Sequence, residues 1–108
     1  MPEKKEAAQH KESYYQAKIL EWLKKNHPDA FIWKAQGGPY SNHNGIPDVI
    51  ALIGGHMFGF EVKRPGGKPT KLQELAITQI NAAGGTALVV TTVEQVKEAI
   101  EKWTVAKP

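Results

Sequence analysis

The stretch GIPDVIALIGGHMFGFEVKRPGG, residues 45–67, decides how this chain folds. Asp48 to Ile53 is rich in apolar and β-branched residues and reads as a strand. Gly54-Gly55 is a two-residue hairpin turn, and His56 to Lys63 reads as the antiparallel partner strand. Side chains alternate faces along a strand, so Phe58, Phe60 and Val62 share one face while Gly59, Glu61 and Lys63 share the other. Asp48 opens the first strand, beside the turn made by Gly45 and Pro47. Across so short a hairpin the start of one strand lies near the end of the other, and Asp48 therefore approaches Glu61 and Lys63.

Working outward, Gly66-Gly67 with Pro65 and Pro69 closes the far end of the hairpin. Thr70 follows as a helix N-cap, with Gln73 completing a capping box. Leu72, Ala76, Ile80 and Ala83 mark a core-facing stripe as far as Gly84-Gly85. Thr86 to Thr91 (TALVVT) is a continuous apolar strand of the kind found in a sheet interior. A last helix starts at Thr92, again with a box to Gln95, and carries Val93, Val96, Ile100 and Trp103. Upstream of the hairpin, Gln36 to Gly45 is turn chemistry and Ala30 to Ala35 is a short strand. Glu6 to Lys25 reads as a helix with Tyr15, Ile19, Trp22 and Leu23 on one stripe, ended by Asn26 to Pro28. Trp22 and Trp103 would serve a core or an interface equally well. The first ten residues are expected to fray. The strand-helix-strand segment from Phe58 to Val90 favours a right-handed crossover between parallel neighbours, so the expectation is an α/β fold, a mixed β-sheet flanked by helices.

A chain of 108 residues, 41% of them hydrophobic, fits one domain spanning residues 1–108. The absence of cysteine excludes a disulfide framework and thiolate metal sites, and it suits a reducing cytoplasm. Any metal would be held by oxygen or imidazole. The N-terminus has no apolar stretch of a signal peptide, and nothing approaches the roughly 20 apolar residues of a membrane span, so a cytoplasmic protein with no membrane partner is expected. A net charge of +3 and a pI near 9.2 permit a polyanionic partner without establishing one. No glycine-rich phosphate loop follows a strand, which excludes a Rossmann-like nucleotide binder and leaves no organic cofactor to expect.

Two carboxylates meeting at the hairpin's end are costly to desolvate unless something cationic neutralises them, and Lys63 supplies only one charge. A divalent cation supplies the rest. Oxygen ligands of this kind suit Mg²⁺ or Mn²⁺, which keep several waters and share phosphate oxygens. A metal-bound water beside a lysine is a hydrolytic nucleophile suited to phosphodiester cleavage. Plainer readings stand beside this one: a turn aspartate at Asp48, an exposed edge pair at Glu61 and Lys63, and a simple N3 cap residue at Gln73.

Asp48 followed by Glu61-Val62-Lys63 on the next strand resembles the PD-(D/E)XK nuclease signature, with the literal PD at Pro47-Asp48. More narrowly, GIPDVIAL, FGFEVKRPGGKPTKLQ and NAAGGTALVV resemble the VRR-Nuc branch of that superfamily, over about Glu12 to Val96. The resemblance implies a restriction-endonuclease-like αβββαβ core in which Asp48 and Glu61 bind the metal, the Val62 carbonyl adds a ligand, and Lys63 assists the attacking water. It also implies that Gln73 is the glutamine on the following helix. Relatives carry an acidic residue on the first helix in a pattern similar to E-x-x-x-Q, which Glu12 with Gln16 fits as a further metal ligand and which Glu6 rivals. Glu12 continues the apolar stripe of its helix one turn earlier, so it should face the sheet and need a partner.

Lys34, Arg64, Lys68 and Lys71 flank the expected site as phosphate contacts would, His43 precedes it, and Tyr40 has the chemistry to stack on an unpaired base. The other histidines, His10, His27 and His56, read as surface or turn residues. Relatives of this size commonly stand alone in bacteriophages, which implies the host cytoplasm. No separate sequence-reading element is present, so selectivity is expected to come from DNA shape. The resemblance to junction resolvases implies a homodimer acting on branched double-stranded DNA, a four-way junction first. Flaps, nicked or linear duplex, or a non-catalytic DNA-binding module of the same fold, are the alternatives.

Overall fold

The structure, a computed structural model, describes residues 10–35 and 45–106. Helix α1 (Glu12–Asn26) leads into β1 (Phe31–Lys34), β2 (Val49–Ile53) and β3 (His56–Val62). Helix α2 (Lys71–Ala82), strand β4 (Thr86–Val90) and helix α3 (Val93–Ala106) follow. The sheet order is β1-β2-β3-β4, antiparallel for the first two pairings and parallel for β3 with β4. This is the mixed sheet that the crossover argument requires, and every strand boundary lies within one residue of the sequence reading.

Strand alternation sorts the core. Val49, Ala51, Phe58, Phe60, Val62 and Val90 point to one face, where Ile19 and Leu23 of α1 and Val96 and Ile100 of α3 close over them. Trp22 and Trp103 are half-buried against this cluster and belong to the core side. Burying ten such side chains at about 1.5–3 kcal/mol each is the main stabilising term of the fold. Helix α2 packs on the opposite face, over β3 and β4. Among the described residues no helix is long and apolar enough to cross a membrane.

Four details depart from the sequence reading. Helix α1 begins at Glu12, with Lys11 in extended backbone (ψ 159°) and no side-chain cap, rather than near Glu6. Residues 6–9 of the helix read from the sequence lie outside the described residues. In α2 the buried residue is Gln73, while Leu72 is half exposed and Ala83 exposed, so the inward stripe is rotated and led by a polar side chain. His56 is part of the packing. Its ring stacks on Trp103 at 4.7 Å and its Nε2 lies 2.8 Å from Thr86 Oγ1. Finally, β4 is an edge strand rather than an interior one.

The apolar run of β4 is explained by helices on both of its faces, and one peptide of its open edge is covered by a side chain. Asn81 Nδ2 donates to the Ala87 carbonyl at 2.9 Å and Asn81 Oδ1 accepts from the Ala87 amide at 2.8 Å, imitating a fifth strand. Asn81→Ala should cost on the order of 2 kcal/mol in urea unfolding, the worth of two part-buried hydrogen bonds, with the Ala87 peptide opened to water.

Candidate active site

The ends of β2 and β3 create the site through a mismatch in the ladder. Val49 faces Phe60 in the last recorded pair of β2 with β3, and one step on Asp48 lies opposite Glu61. Pro47, next in line, has no amide to offer the ladder. The Lys63 amide donates to Val90 in β4 at 2.9 Å, so the peptide groups of Val62, one residue earlier, are directed towards β2. The partner missing there is replaced by a side chain: Asp48 Oδ2 accepts from the Val62 amide at 2.9 Å. By the same alternation the Val62 carbonyl points to the β2 side.

Asp48 and Glu61 emerge on the α2 face, opposite the Val49 and Phe60 packing. Glu61 is 1% exposed, and neither carboxylate oxygen has a hydrogen-bond partner. Its nearest cation is Lys63 Nζ, 3.5 Å from Oε2, and that ammonium also lies 3.8 Å from Glu12 Oε2. The partner that Glu12 needs is therefore Lys63. Burial, then the Asp48 charge, pushes the Glu61 carboxyl up from its ordinary 4.5 to about 8, against the opposing pull of Lys63. Glu12 is also raised, chiefly by burial and secondarily by Asp48, with Lys63 and Arg64 acting the other way.

Gln73 is 5% exposed and is the N3 residue of a complete capping box. Thr70 Oγ1 accepts from its amide at 3.2 Å, and its own Oε1 accepts from the Thr70 amide at 2.8 Å. The carboxamide oxygen is committed to the helix end, and its NH₂ is the group left to reach outward. Two glycines let these parts meet. A Cβ on Gly45 would stand 2.3 Å from the Leu72 carbonyl oxygen, so the chain entering Pro47-Asp48 lies directly on the first turn of α2. A Cβ on Gly59 would stand 3.0 Å from Pro47 Cγ, so the proline folds over a bare patch of β3. Neither glycine stood out in the sequence as part of the site. The signal was there in the GIPD turn and in a lone glycine inside a strand.

Arg64, Lys68 and Lys71 are exposed along the connector from β3 into α2, on the same end of the sheet as the carboxylates. Lys34 is at that end too, but it pairs with Val49 and so shares the face of α1 and α3. Glu6, Tyr40 and His43 lie outside the described residues. Among the described residues no group of three or more His, Asp or Glu side chains is arranged to hold a metal. What the site offers is two carboxylates, the buried one with nothing bonded to either of its oxygens, and a strand carbonyl. That donor set fits a hard, hydrated divalent cation that keeps several of its own waters.

A solved structure described as a VRR_NUC domain matches the fold of this chain with a TM-score of 0.63 over 87% of this chain and 99% of that one. The chain has the VRR_NUC fold. The two sequences are 20% identical, so the likeness between the VRR_NUC domain and this chain is one of fold. No protein-family model matches the sequence, and no curated protein does. The roles of individual residues in this VRR_NUC-like sheet therefore rest on their own geometry.

Proposed function

We propose that this chain is a metal-dependent endonuclease of the PD-(D/E)XK type that hydrolyses phosphodiester bonds in branched double-stranded DNA. One observation carries the reading: Glu61, buried beside Asp48 with both oxygens unbonded and a single lysine at 3.5 Å, is a costly arrangement unless a cation is bound there. Asp48, Glu61 and the Val62 carbonyl would hold Mg²⁺ or Mn²⁺. Bound there, the ion supplies a water of lowered pKa and neutralises charge on the phosphoryl group.

The remaining work falls to the chain's own residues. Lys63 Nζ, held between Glu61 and Glu12, orients the attacking water and balances negative charge as it builds on the phosphorus oxygens. Glu12 acts on the reaction through Lys63 and stands by as a further carboxylate. The Gln73 NH₂ donates towards the substrate while its oxygen stays in the cap. Arg64, Lys68 and Lys71 take backbone phosphates of the strand being cut, and Lys34 a phosphate further round the sheet end. Such contacts read no bases, so the preference should follow DNA shape, with a four-way junction as the favoured substrate.

The test is cleavage of a labelled four-way junction and a matched linear duplex in Mg²⁺, in Mn²⁺ and in chelator, by the natural chain and by Lys63→Ala. Cutting of the junction alone, dependent on the metal and lost in the variant, is expected. Equal cutting of both DNAs would keep the nuclease and remove the junction preference. Binding without cutting in either metal would reduce the chain to a DNA-binding module.

A further inference from the structure

The face of the sheet that carries Asp48 and Glu61 continues past them as an open groove. Ile50 lies two residues along β2 from Asp48 and on the same face, with Trp33 of β1 paired beside it. At about 3.4 Å per residue, this row stands roughly 7 Å from the carboxylates. Trp33 is 48% exposed, so its indole presents surface to whatever enters. The groove, about 720 Å³, has Trp33 and Ile50 on one side and Ala76, Gln79 and Ile80 of α2 on the other. It opens on the carboxylate site at Pro47.

We propose that this groove takes an unpaired base of the DNA, turned out beside the phosphate being cut, and stacks it on Trp33. The proposal rests on the nuclease reading of the carboxylates and adds the feature by which branched DNA is told from fully paired DNA. Charge is the first reason. Among the described residues no Asp, Glu, Lys or Arg lines the groove, in a chain that is 23% charged. Arg64, Lys68 and Lys71 are instead exposed at the end of the sheet where the groove opens. A nucleotide is divided in the same way, with a charged phosphate and a neutral base that has flat apolar faces. Its phosphate at the cationic end would leave the base to lie in the neutral groove.

The second reason is the chemistry of the walls. Trp33 supplies an aromatic face, Ile50 and Ile80 supply apolar surface, and the Gln79 carboxamide can both donate to and accept from a base edge. Stacking accepts any base, because every base has such a face, and a chain with no sequence-reading element needs a contact of that kind. Reach is the third reason. The row at Trp33 and Ile50 is close enough to the carboxylates for the base of a nucleotide flanking the cut to span the gap. In an intact duplex that base is paired and stacked and must be extracted at a cost, whereas at a branch it has already lost a neighbour or its partner.

The test is binding of a forked DNA with unpaired nucleotides at its branch, against the same fork with those nucleotides made abasic, read by fluorescence anisotropy. Measuring it on the Glu61→Gln chain, which lacks a carboxylate proposed to hold the metal, keeps the DNA uncut. The fork with bases should bind about 10–100-fold tighter than the abasic fork. Adding Trp33→Ala should bring that ratio close to one and leave binding of linear duplex unchanged, while Trp33→Phe, which keeps a flat ring, should retain most of it. Gln79→Trp, which fills the groove from an exposed helix position, should also remove the preference and answers the question if Trp33→Ala does not fold. Equal binding of the two forks would overturn the proposal and leave the groove to another kind of partner. A preference that survives both Trp33→Ala and Gln79→Trp would overturn it too, since the base would then be held elsewhere. Cleavage by the natural chain is read separately: a base preference without cutting would support the groove and sink the nuclease reading, and cutting without the preference would do the reverse.

Discussion

Glu61→Gln is expected to make the cation-free protein more stable at alkaline pH while abolishing cleavage. The Glu61 carboxyl titrates near 8 in the folded chain against an ordinary 4.5, so between those values the folded state binds the extra proton. Stability of the natural protein in chelator should therefore fall as pH rises from about 4.5 to 8, because there the unfolded state binds fewer protons than the native one. The amide has no proton to lose, and its curve should be flat over that window. Above pH 8 the gap should be on the order of 5 kcal/mol, or more than 10 °C in melting temperature for a domain of this size. Addition of Mg²⁺ should raise the natural protein's melting point at pH 8 and leave the variant's unchanged. Cleavage by the variant should drop by ~10³-fold or more, the worth of one ligand to the charge on the phosphoryl group. Melts across pH, with and without chelator, read the first effect; single-turnover cleavage reads the second. A natural protein whose stability is flat from pH 5 to 8 in chelator would refute the account of Glu61.

Gly45→Ala should be among the most damaging single substitutions available to this chain. Gly45 has φ of +73°, and an added Cβ would meet the Leu72 carbonyl oxygen at 2.3 Å, its carbon at 2.4 Å and the Gln73 nitrogen at 2.7 Å. All three are backbone atoms in a capped helical turn, so no side chain can swing away. The left-handed conformation alone costs roughly 1–2 kcal/mol, and displacement of α2 should bring the total above ~3 kcal/mol. Gly66→Ala is the matched control. Its φ is +82° with no atom within 4 Å of the added carbon, so it should show the conformational cost alone. Urea unfolding of the pair separates strain from collision, and equal losses in the two variants would show that the contact with α2 is unimportant.

The hairpin was legible because two independent signals agreed on it: the Gly54-Gly55 turn and strict alternation in His56–Val62. Once the register is set, Asp48 has to meet Glu61, and Lys63 has to emerge on the same face. Gln73 as the N3 residue was legible from Thr70 for the same reason, since a capping box is local. What escaped the sequence depends on which surfaces find one another. Leu72 follows helical spacing into the stripe, but Gln73 takes the inward position because the first turn of α2 is pressed on Gly45, 28 residues earlier in the chain. The edge position of β4 was hidden because two helices make it as apolar as an interior strand. The partner of Glu12 could be required from its place on α1, but only the assembled sheet brings Lys63 to it.

The Gly54-Gly55 turn makes the site intolerant of changes in chain length. With Ile53 paired to His56 there is no slack in the hairpin, and each residue beyond is fixed by counting. One residue inserted into β3 after His56 would turn every later side chain to the other face. Glu61 would move beneath Ile19 and Leu23, and Phe60 would take its place beside Asp48. One residue deleted from β2 would carry Asp48 across in the same way. Substitutions along these strands alter packing by degrees, whereas a shift of one in either removes the pair of carboxylates altogether.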